Sequence, residues 1–331
     1  MGRVNDINQG IPAFAGKTVA GYAGKAAADY AGKAAAGYAA TVGFFDGVHA
    51  GHRYLIEQLR SEAKKRNLPS AVITFRNHPQ SVLRKDDVTR LLNTPEERLE
   101  RLAETGVDYC FLTDFTENLS QMDAKTFICS VLKEKYNISL LLIGYDHRFG
   151  KNREEGFEEY QKYGSQCGIE VIMAKELPID IHVSSTVIRR LLSEHRISEA
   201  NRLLTYNYSL EGIVIQGNKL GGKIGFPTAN LELKDKYKTI PGDGIYAVKV
   251  GIDGQSYGGM AYIGNRPTVD ENGQRSIEVN IFDFSENIYG KTLKLEFVRF
   301  VREDQRFSGI EGLIEQLKKD KVHIMNILAE E

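Results

Sequence analysis

Cysteine is scarce in this chain of 331 residues: Cys110, Cys129 and Cys167 lie far apart and are odd in number. Neither a disulfide framework nor a zinc-ligand spacing follows from them. A reducing cytoplasm is the compartment this usage implies. Long apolar runs are missing too. No stretch of about 18 apolar residues offers a membrane-crossing helix, and the N-terminus lacks the apolar core of a signal peptide. Neither sign of charge dominates, with 43 Lys and Arg against 44 Asp and Glu. That balance argues against a general nucleic-acid-coating surface and leaves room for a local basic pocket. Histidine is rare at seven residues, yet His49, His52, His78 and His147 fall in the first half, each near a glycine, a proline or a strand end.

What is present suits two domains. The length is about twice that of a common domain, and 42% hydrophobic residues are ample for two cores. Residues 14–40 stand apart as an eight-residue repeat with an aromatic opening each unit: Phe14, Tyr22, Tyr30 and Tyr38. Glycine in each unit costs a helix about 1 kcal/mol, and a period of eight drifts around a helix, so the aromatics form no lasting stripe. Residues 1–40 are therefore read as an atypical segment, an insertion or an artefact rather than a functional element. Gly16-Lys17-Thr18 imitates the end of a P-loop, but Ile11 stands where its first glycine belongs.

From residue 41 to about 185, apolar strand-like runs (41–45, 71–75, 109–113, 139–143, 170–173) alternate with helix-like runs (50–66, 95–104, 123–136). Thr94 is a candidate N-cap. Uninterrupted apolar strands between helices imply a parallel sheet covered on both faces, with ligands beyond the carboxyl ends of the strands. Short helices follow at 187–193 and 198–204. After about residue 206, strand-like runs separated by Gly, Asp and Asn turns indicate an antiparallel barrel or sandwich, closed by a helix at 310–326.

Two stretches carry chemistry. Gly43-Phe-Phe-Asp-Gly-Val-His-Ala-Gly-His52 joins a strand to a helix. His49 and His52, three apart, share one face of the opening turn, where free N–H groups and the helix dipole favour phosphate. A histidine pair there suits nucleotidyl transfer. Gly217-Asn-Lys-Leu-Gly-Gly-Lys-Ile-Gly-Phe-Pro-Thr-Ala-Asn230 is the second. Its glycines, Gly217 and Gly225 among them, let backbone N–H groups approach phosphate. Lys223 adds charge and Pro227 stiffens the exit. Thr228 and Asn230 point one way and offer the hard oxygen ligands that suit Mg²⁺.

The first stretch resembles the signature of the nucleotidyltransferases related to bacterial FAD synthetases. Thr74-Phe-Arg-Asn-His-Pro79 is similar to that family's Thr-Phe-x-Pro-His-Pro motif, with Asn77 in place of a proline. Gly144-Tyr-Asp-His-Arg-Phe-Gly150 resembles its Gly-x-Asp/Asn-Phe-x-Phe-Gly element, with His147 where Phe is typical, and Ser184-Ser-Thr-Val-Ile-Arg189 its Ser-Thr-x-x-Arg motif. Residues 225–230 match the riboflavin kinase signature Gly-Phe-Pro-Thr-Ala-Asn in full. Gly259 to Thr268 resembles a further kinase element with Tyr262 where Asn is common, and Ile277 to Phe284 another, with Asn280 in place of His.

The resemblance implies a Rossmann-like α/β adenylyltransferase domain over 41–206 and an antiparallel β-barrel kinase domain with a C-terminal helix over 207–331. It implies ATP and Mg²⁺, with riboflavin, FMN and FAD as substrates and products, and neither nucleic acid nor membrane as partner; self-association stays open. In the first domain His49 and His52 would stabilise the α/β-phosphates. Gly43, Phe44 and Asp46 would form the nucleotide loop, and Asp146 would orient ribose or the attacking phosphate. Ser185 and Thr186 would donate to the β/γ-phosphates, and Arg189 would neutralise the leaving pyrophosphate. In the second, Glu278 would be the base for the riboflavin 5′-hydroxyl, Thr228 and Asn230 would hold the metal, and Arg302 would contact flavin. Two rival readings remain: a chain whose adenylylating half is disabled at Asn77 and His147, and a flavin-sensing module without turnover.

Overall fold

The computed structural model describes residues 11–12, 36–78, 90–145, 147–151, 154–178, 183–217, 220–265 and 275–331. The chain divides into two compact units, Met1–His182 and Val183–Glu331. Most of the eight-residue repeat, at 13–35, lies outside the described residues.

Among the described residues of the first unit, six strands form one sheet: β1 (Ile11–Pro12), β2 (Tyr38–Val42), β3 (Ser70–Phe75), β4 (Tyr109–Thr113), β5 (Ile138–Ile143) and β6 (Glu170–Met173), in the order β1-β4-β3-β2-β5-β6. The pairs β2–β3, β3–β4, β2–β5 and β5–β6 are parallel. The two-residue β1 adds an antiparallel edge to β4. β2 starts at Tyr38, so the last aromatic of the repeat belongs to the strand. Its ring meets Tyr109 and Phe111 edge-on at 5.2 and 5.3 Å, an apolar contact that draws Tyr38–Ala40 into the sheet. β3 is buried at every residue, as the unbroken Ala-Val-Ile-Thr-Phe run requires of a strand covered on both faces.

Helices α1 (Ala50–Lys65), α2 (Pro95–Glu104) and α3 (Phe157–Cys167) connect these strands. Thr94 caps α2 in a capping box with Glu97, and Pro95 opens the helix, where its missing N–H costs nothing. The expected helix at 123–136 forms with a wider winding: after Ala124–Thr126, residues Phe127–Lys135 are π-helical. This segment also brings two of the three cysteines together: Cys129 and Cys167, 38 residues apart in sequence, have Cα atoms 5.5 Å apart where the π-helical segment packs on α3.

Strand order reverses at β2, which lies between β3 and β5. The parallel direction puts the loops after β2, β3 and β5 at one end of the sheet. Their described residues are 43–49, 76–78, 144–145 and 147–150, and a switch point of this kind is where α/β sheets bind ligands.

The second unit opens with α4 (Ser185–Ser193) and α5 (Ile197–Leu204). Strands β7 (Ser209–Ile215), β8 (Ala229–Leu233), β9 (Gly244–Ile252), β10 (Gln255–Asn265), β11 (Arg275–Ile281) and β12 (Thr292–Arg302) then close an antiparallel barrel in the order β10-β11-β8-β7-β12-β9. Of barrel and sandwich, the barrel is therefore the form adopted. The closing helix α6 (Ile310–Ala329) packs Ile324 and Ile327 against Ile245, Ala247, Met260 and Val298. Among the described residues no helix is long and apolar enough to cross a membrane.

Candidate functional site

The loop after β2 is held in sparsely populated backbone conformations. Phe45 (φ 58°), Gly47 (φ 82°) and Val48 (φ 38°) all have positive φ. For a β-branched valine this is strained and persists only where the surroundings impose it, as functional loops do. Here Phe45 and Val48 are buried in a core cluster with Ile56 and Val72. Gly43 N donates to Ile73 O at 3.0 Å, tying the loop to β3. Thr74 Oγ1 adds a hydrogen bond to Phe44 O at 3.0 Å.

His49 is the N-cap of α1 and its Nδ1 accepts from His52 N at 3.4 Å. The two imidazoles stack with centroids 3.7 Å apart and planes 14° from parallel. Burial first, then His49 and His147, hold His52 well below the ordinary histidine value, so its ring is neutral near pH 7. Its Nδ1 is buried with no hydrogen-bond partner among the described residues, an arrangement that suits an incoming polar ligand.

Asp46 has turned inward. Its Oδ1 accepts from Leu92 N at 2.9 Å and Asn93 N at 3.2 Å, which anchors the start of α2. Phe44 meets His78 edge-on at 4.5 Å and carries the Arg98 guanidinium over its ring at 4.0 Å. Arg98 was not singled out from the sequence. It is fully buried, donates from Nη2 to Phe75 O at 2.5 Å, and leaves Nε and Nη1 without partners among the described residues. Burial lowers it to about 10, opposed by Asp46. Its position four residues before Leu102 on a capped helix was the available signal. Asn77 pairs both ways with Phe115: Nδ2 donates to Phe115 O at 2.9 Å, and Oδ1 accepts from Phe115 N at 2.9 Å. Asp146 lies outside the described residues.

In the second unit Ser184, one residue earlier than the singled-out pair, caps α4 by accepting from Val187 N at 3.3 Å. Ser185 and Thr186 form the first turn, and Arg189 Nη2 reaches Thr186 Oγ1 at 3.4 Å.

The glycine-rich stretch leads from β7 into β8, and the site forms where β8 meets β11. Asn230 pairs in register with Glu278, and Thr228 Oγ1 donates to Glu278 Oε2 at 3.2 Å. Asn280 Nδ2 donates to Pro227 O at 2.7 Å, which fixes the turn that delivers Thr228. Gly225 has φ +83°, a conformation that glycine adopts freely. Lys223 ends a short helical turn at Leu220–Lys223; its side chain is not among those described. Thr228, Asn230 and Glu278 thus present a hydroxyl, an amide and a carboxylate together, all hard oxygen donors fit for Mg²⁺. Among the described residues no three His, Cys, Asp or Glu side chains gather as a metal site.

Arg302 is engaged elsewhere. Its Nε and Nη2 donate to the buried Asp320 of α6 at 2.8–3.2 Å, and its Nη1 to Glu303 O at 2.9 Å. Beyond it an open cavity of about 500 Å³ is lined by Ser193, His195, Gly242, Asp243, Arg275, Glu303 and Asp304. None of these residues lies among the candidate site residues that the motifs point to.

Two family models match the chain: FAD synthetase over residues 32–187 and riboflavin kinase over 204–328. A bifunctional riboflavin kinase/FMN adenylyltransferase of Listeria monocytogenes is 38% identical over 85% of this chain and 89% of its own length. Its counterpart in Bacillus subtilis is 36% identical over 85% and 89%. A crystal structure described as a macrolide-efflux protein from Streptococcus pneumoniae superposes with a TM-score of 0.80 at 32% identity, covering 88% of this chain and 94% of that one. With both domain models matched in order and these relatives spanning most of its length, the chain belongs to the bifunctional riboflavin kinase/FMN adenylyltransferase family.

Proposed function

We propose that this chain carries out two ATP-dependent steps: phosphorylation of riboflavin to FMN by residues 207–331, and adenylylation of FMN to FAD by residues 41–206. The observation that carries the reading is the meeting of Thr228, Asn230 and Glu278 beside the glycine-rich loop. In the first step the riboflavin 5′-hydroxyl oxygen attacks the γ-phosphorus of ATP, Glu278 takes the hydroxyl proton, and ADP leaves. Thr228 and Asn230 would hold Mg²⁺, which when bound offsets charge on the phosphates. Gly217, Lys223, Gly225 and Pro227 shape the loop that receives them.

In the second step an oxygen of the FMN phosphate attacks the α-phosphorus of ATP and pyrophosphate departs. Alignment and charge stabilisation do most of the work. Neutral His52 acts there as a hydrogen-bonding group, with His49 stacked on it. Gly43, Phe44 and Asp46 keep the loop in register. Asp146, Ser185, Thr186 and Arg189 are assigned to the same step, the last to offset the leaving pyrophosphate. The proposed compartment is the cytoplasm. The test is product analysis with riboflavin and MgATP. Glu278→Gln should stop FMN formation and leave FMN-to-FAD conversion intact. Loss of both would overturn the assignment of two independent centres.

A further inference from the structure

Tyr262 sits on β10 directly opposite Glu278 of β11. β10 is paired along its length with β9 on one side and β11 on the other, so it is a rigid platform. The ring lies over Gly264: a Cβ there would stand 2.2 Å from the Tyr262 hydroxyl and 2.5 Å from Cζ. Tyr262 also packs, with Phe226, against the cluster under α6. From this bed the hydroxyl donates to Asp304 Oδ2 at 3.1 Å. Burial, with Asp304 second, pushes the phenol up to about 12, so the proton stays on the tyrosine.

Asp304 belongs to the stretch after β12, 303–309, which has no regular structure. Its other oxygen, Oδ1, accepts from Gln305 N at 2.8 Å. One carboxylate therefore shapes its own turn and is pinned to the barrel by a single tyrosine. Glu303 and Asp304 line the open cavity of about 500 Å³. A substrate whose reacting hydroxyl meets Glu278 has its far end to place, and this wall is within one side chain of the base.

We propose that Tyr262 is a positioning residue of the kinase centre: its hydroxyl fixes Asp304, and with it the 303–307 wall, relative to Glu278, and so sets the affinity for the flavin substrate. The inference rests on Glu278 being the base. A hydrogen bond to a charged acceptor corresponds to roughly tenfold or more in binding. In the full chain Tyr262→Phe keeps the ring over Gly264 and removes only the hydroxyl. It raises the KM for riboflavin about tenfold and leaves kcat, the KM for MgATP and FMN adenylylation within about twofold. Asp304→Ala removes that contact together with the hydrogen bond from Gln305 N and raises the riboflavin KM at least as much, and the double variant is no worse than Asp304→Ala alone, because the tyrosine hydroxyl acts only through Asp304. An unchanged riboflavin KM in Tyr262→Phe, an equal rise in the MgATP KM, or losses that add in the double variant would each overturn the assignment. Glu278→Gln, run in parallel, separates the two readings. Continued FMN formation there sinks the base, whereas an inactive Glu278→Gln beside an unaltered Tyr262→Phe sinks only the role of Tyr262.

Discussion

Gly217 lies so close to Asn230 that a Cβ on it would stand 2.0 Å from Asn230 Nδ2 and 2.7 Å from Cγ. The obstructing atoms are the far end of a side chain, so the protein can yield by turning the amide. The fold survives such a turn, but the direction of the amide oxygen does not. Gly217→Ala should therefore leave thermal unfolding nearly unchanged while lowering kcat for riboflavin phosphorylation by about 10²-fold, the scale of an ångström-sized misplacement. FMN-to-FAD conversion in the same chain serves as the control. A kinase rate equal to that of the parent protein would show that Asn230 does not need its present orientation.

The same pair shows what could be read from sequence and what could not. Strand alternation placed Thr228 and Asn230 on one side, whereas their position beside Glu278 comes from the pairing of β8 with β11. Apolar runs foretold β3, β4 and β5, because burial on both faces leaves a composition signal. Pairing across long separations leaves none. Nothing local in Asn77 announces Phe115, Cys129 does not announce Cys167, and Tyr262 does not announce Asp304. Asp46 was legible as a loop residue, yet only the fold shows its carboxylate spent on the amides of Leu92 and Asn93. Residue type and spacing disclose chemistry; which neighbour consumes a polar group is a tertiary fact.

The stacked histidines make a prediction about pH. His52 is held below the ordinary value of 6.5 in the folded protein, chiefly by burial. The unfolded chain then binds more protons than the folded one between those two values, so stability rises with pH across that window. The contribution of neutral His52 is complete above about 6.5 and is lost as pH falls through the folded value. Urea unfolding at stepped pH should show this loss in the parent protein and not in His52→Gln. The His52 imidazole resonances should stay those of a neutral ring through the ordinary histidine range. A normal titration there would refute the buried neutral state. The same variant should slow FMN adenylylation by about 10²-fold or more, as loss of one preorganised donor does, with riboflavin phosphorylation unchanged.

Asn77 stands where the resemblance leads one to expect proline, and it holds Phe115 by two half-buried hydrogen bonds. Asn77→Ala should cost the first unit about 1–3 kcal/mol, since both main-chain groups of Phe115 lose their partner. Asn77→Pro should cost as much, although it restores the commoner residue, because proline supplies neither a side-chain donor nor an acceptor. Chemical denaturation measures both. A proline variant as stable as the parent would mean that the Phe115 backbone finds other partners and that Asn77 is interchangeable.

The pair between Arg302 and Asp320 bears on whether Arg302 serves flavin or the fold. The Asp320 side chain is 4% exposed and that of Arg302 19%, and Gln316 Nε2 adds a hydrogen bond to Asp320 Oδ1 at 2.8 Å. The pair joins the end of β12, where the register shifts between Phe300 and Arg302, to the middle of α6. Removing one partner of such a pair strands a charge and costs about 3–5 kcal/mol, whereas replacing both with apolar residues costs far less. Asp320→Leu should thus unfold at markedly lower denaturant, and Arg302→Leu/Asp320→Leu should recover most of the difference. Kinase activity decides the functional question. If Arg302 acts only by holding β12 to α6, the double variant regains the parent KM for riboflavin along with its stability. If the guanidinium itself meets the flavin, stability returns and the KM stays high.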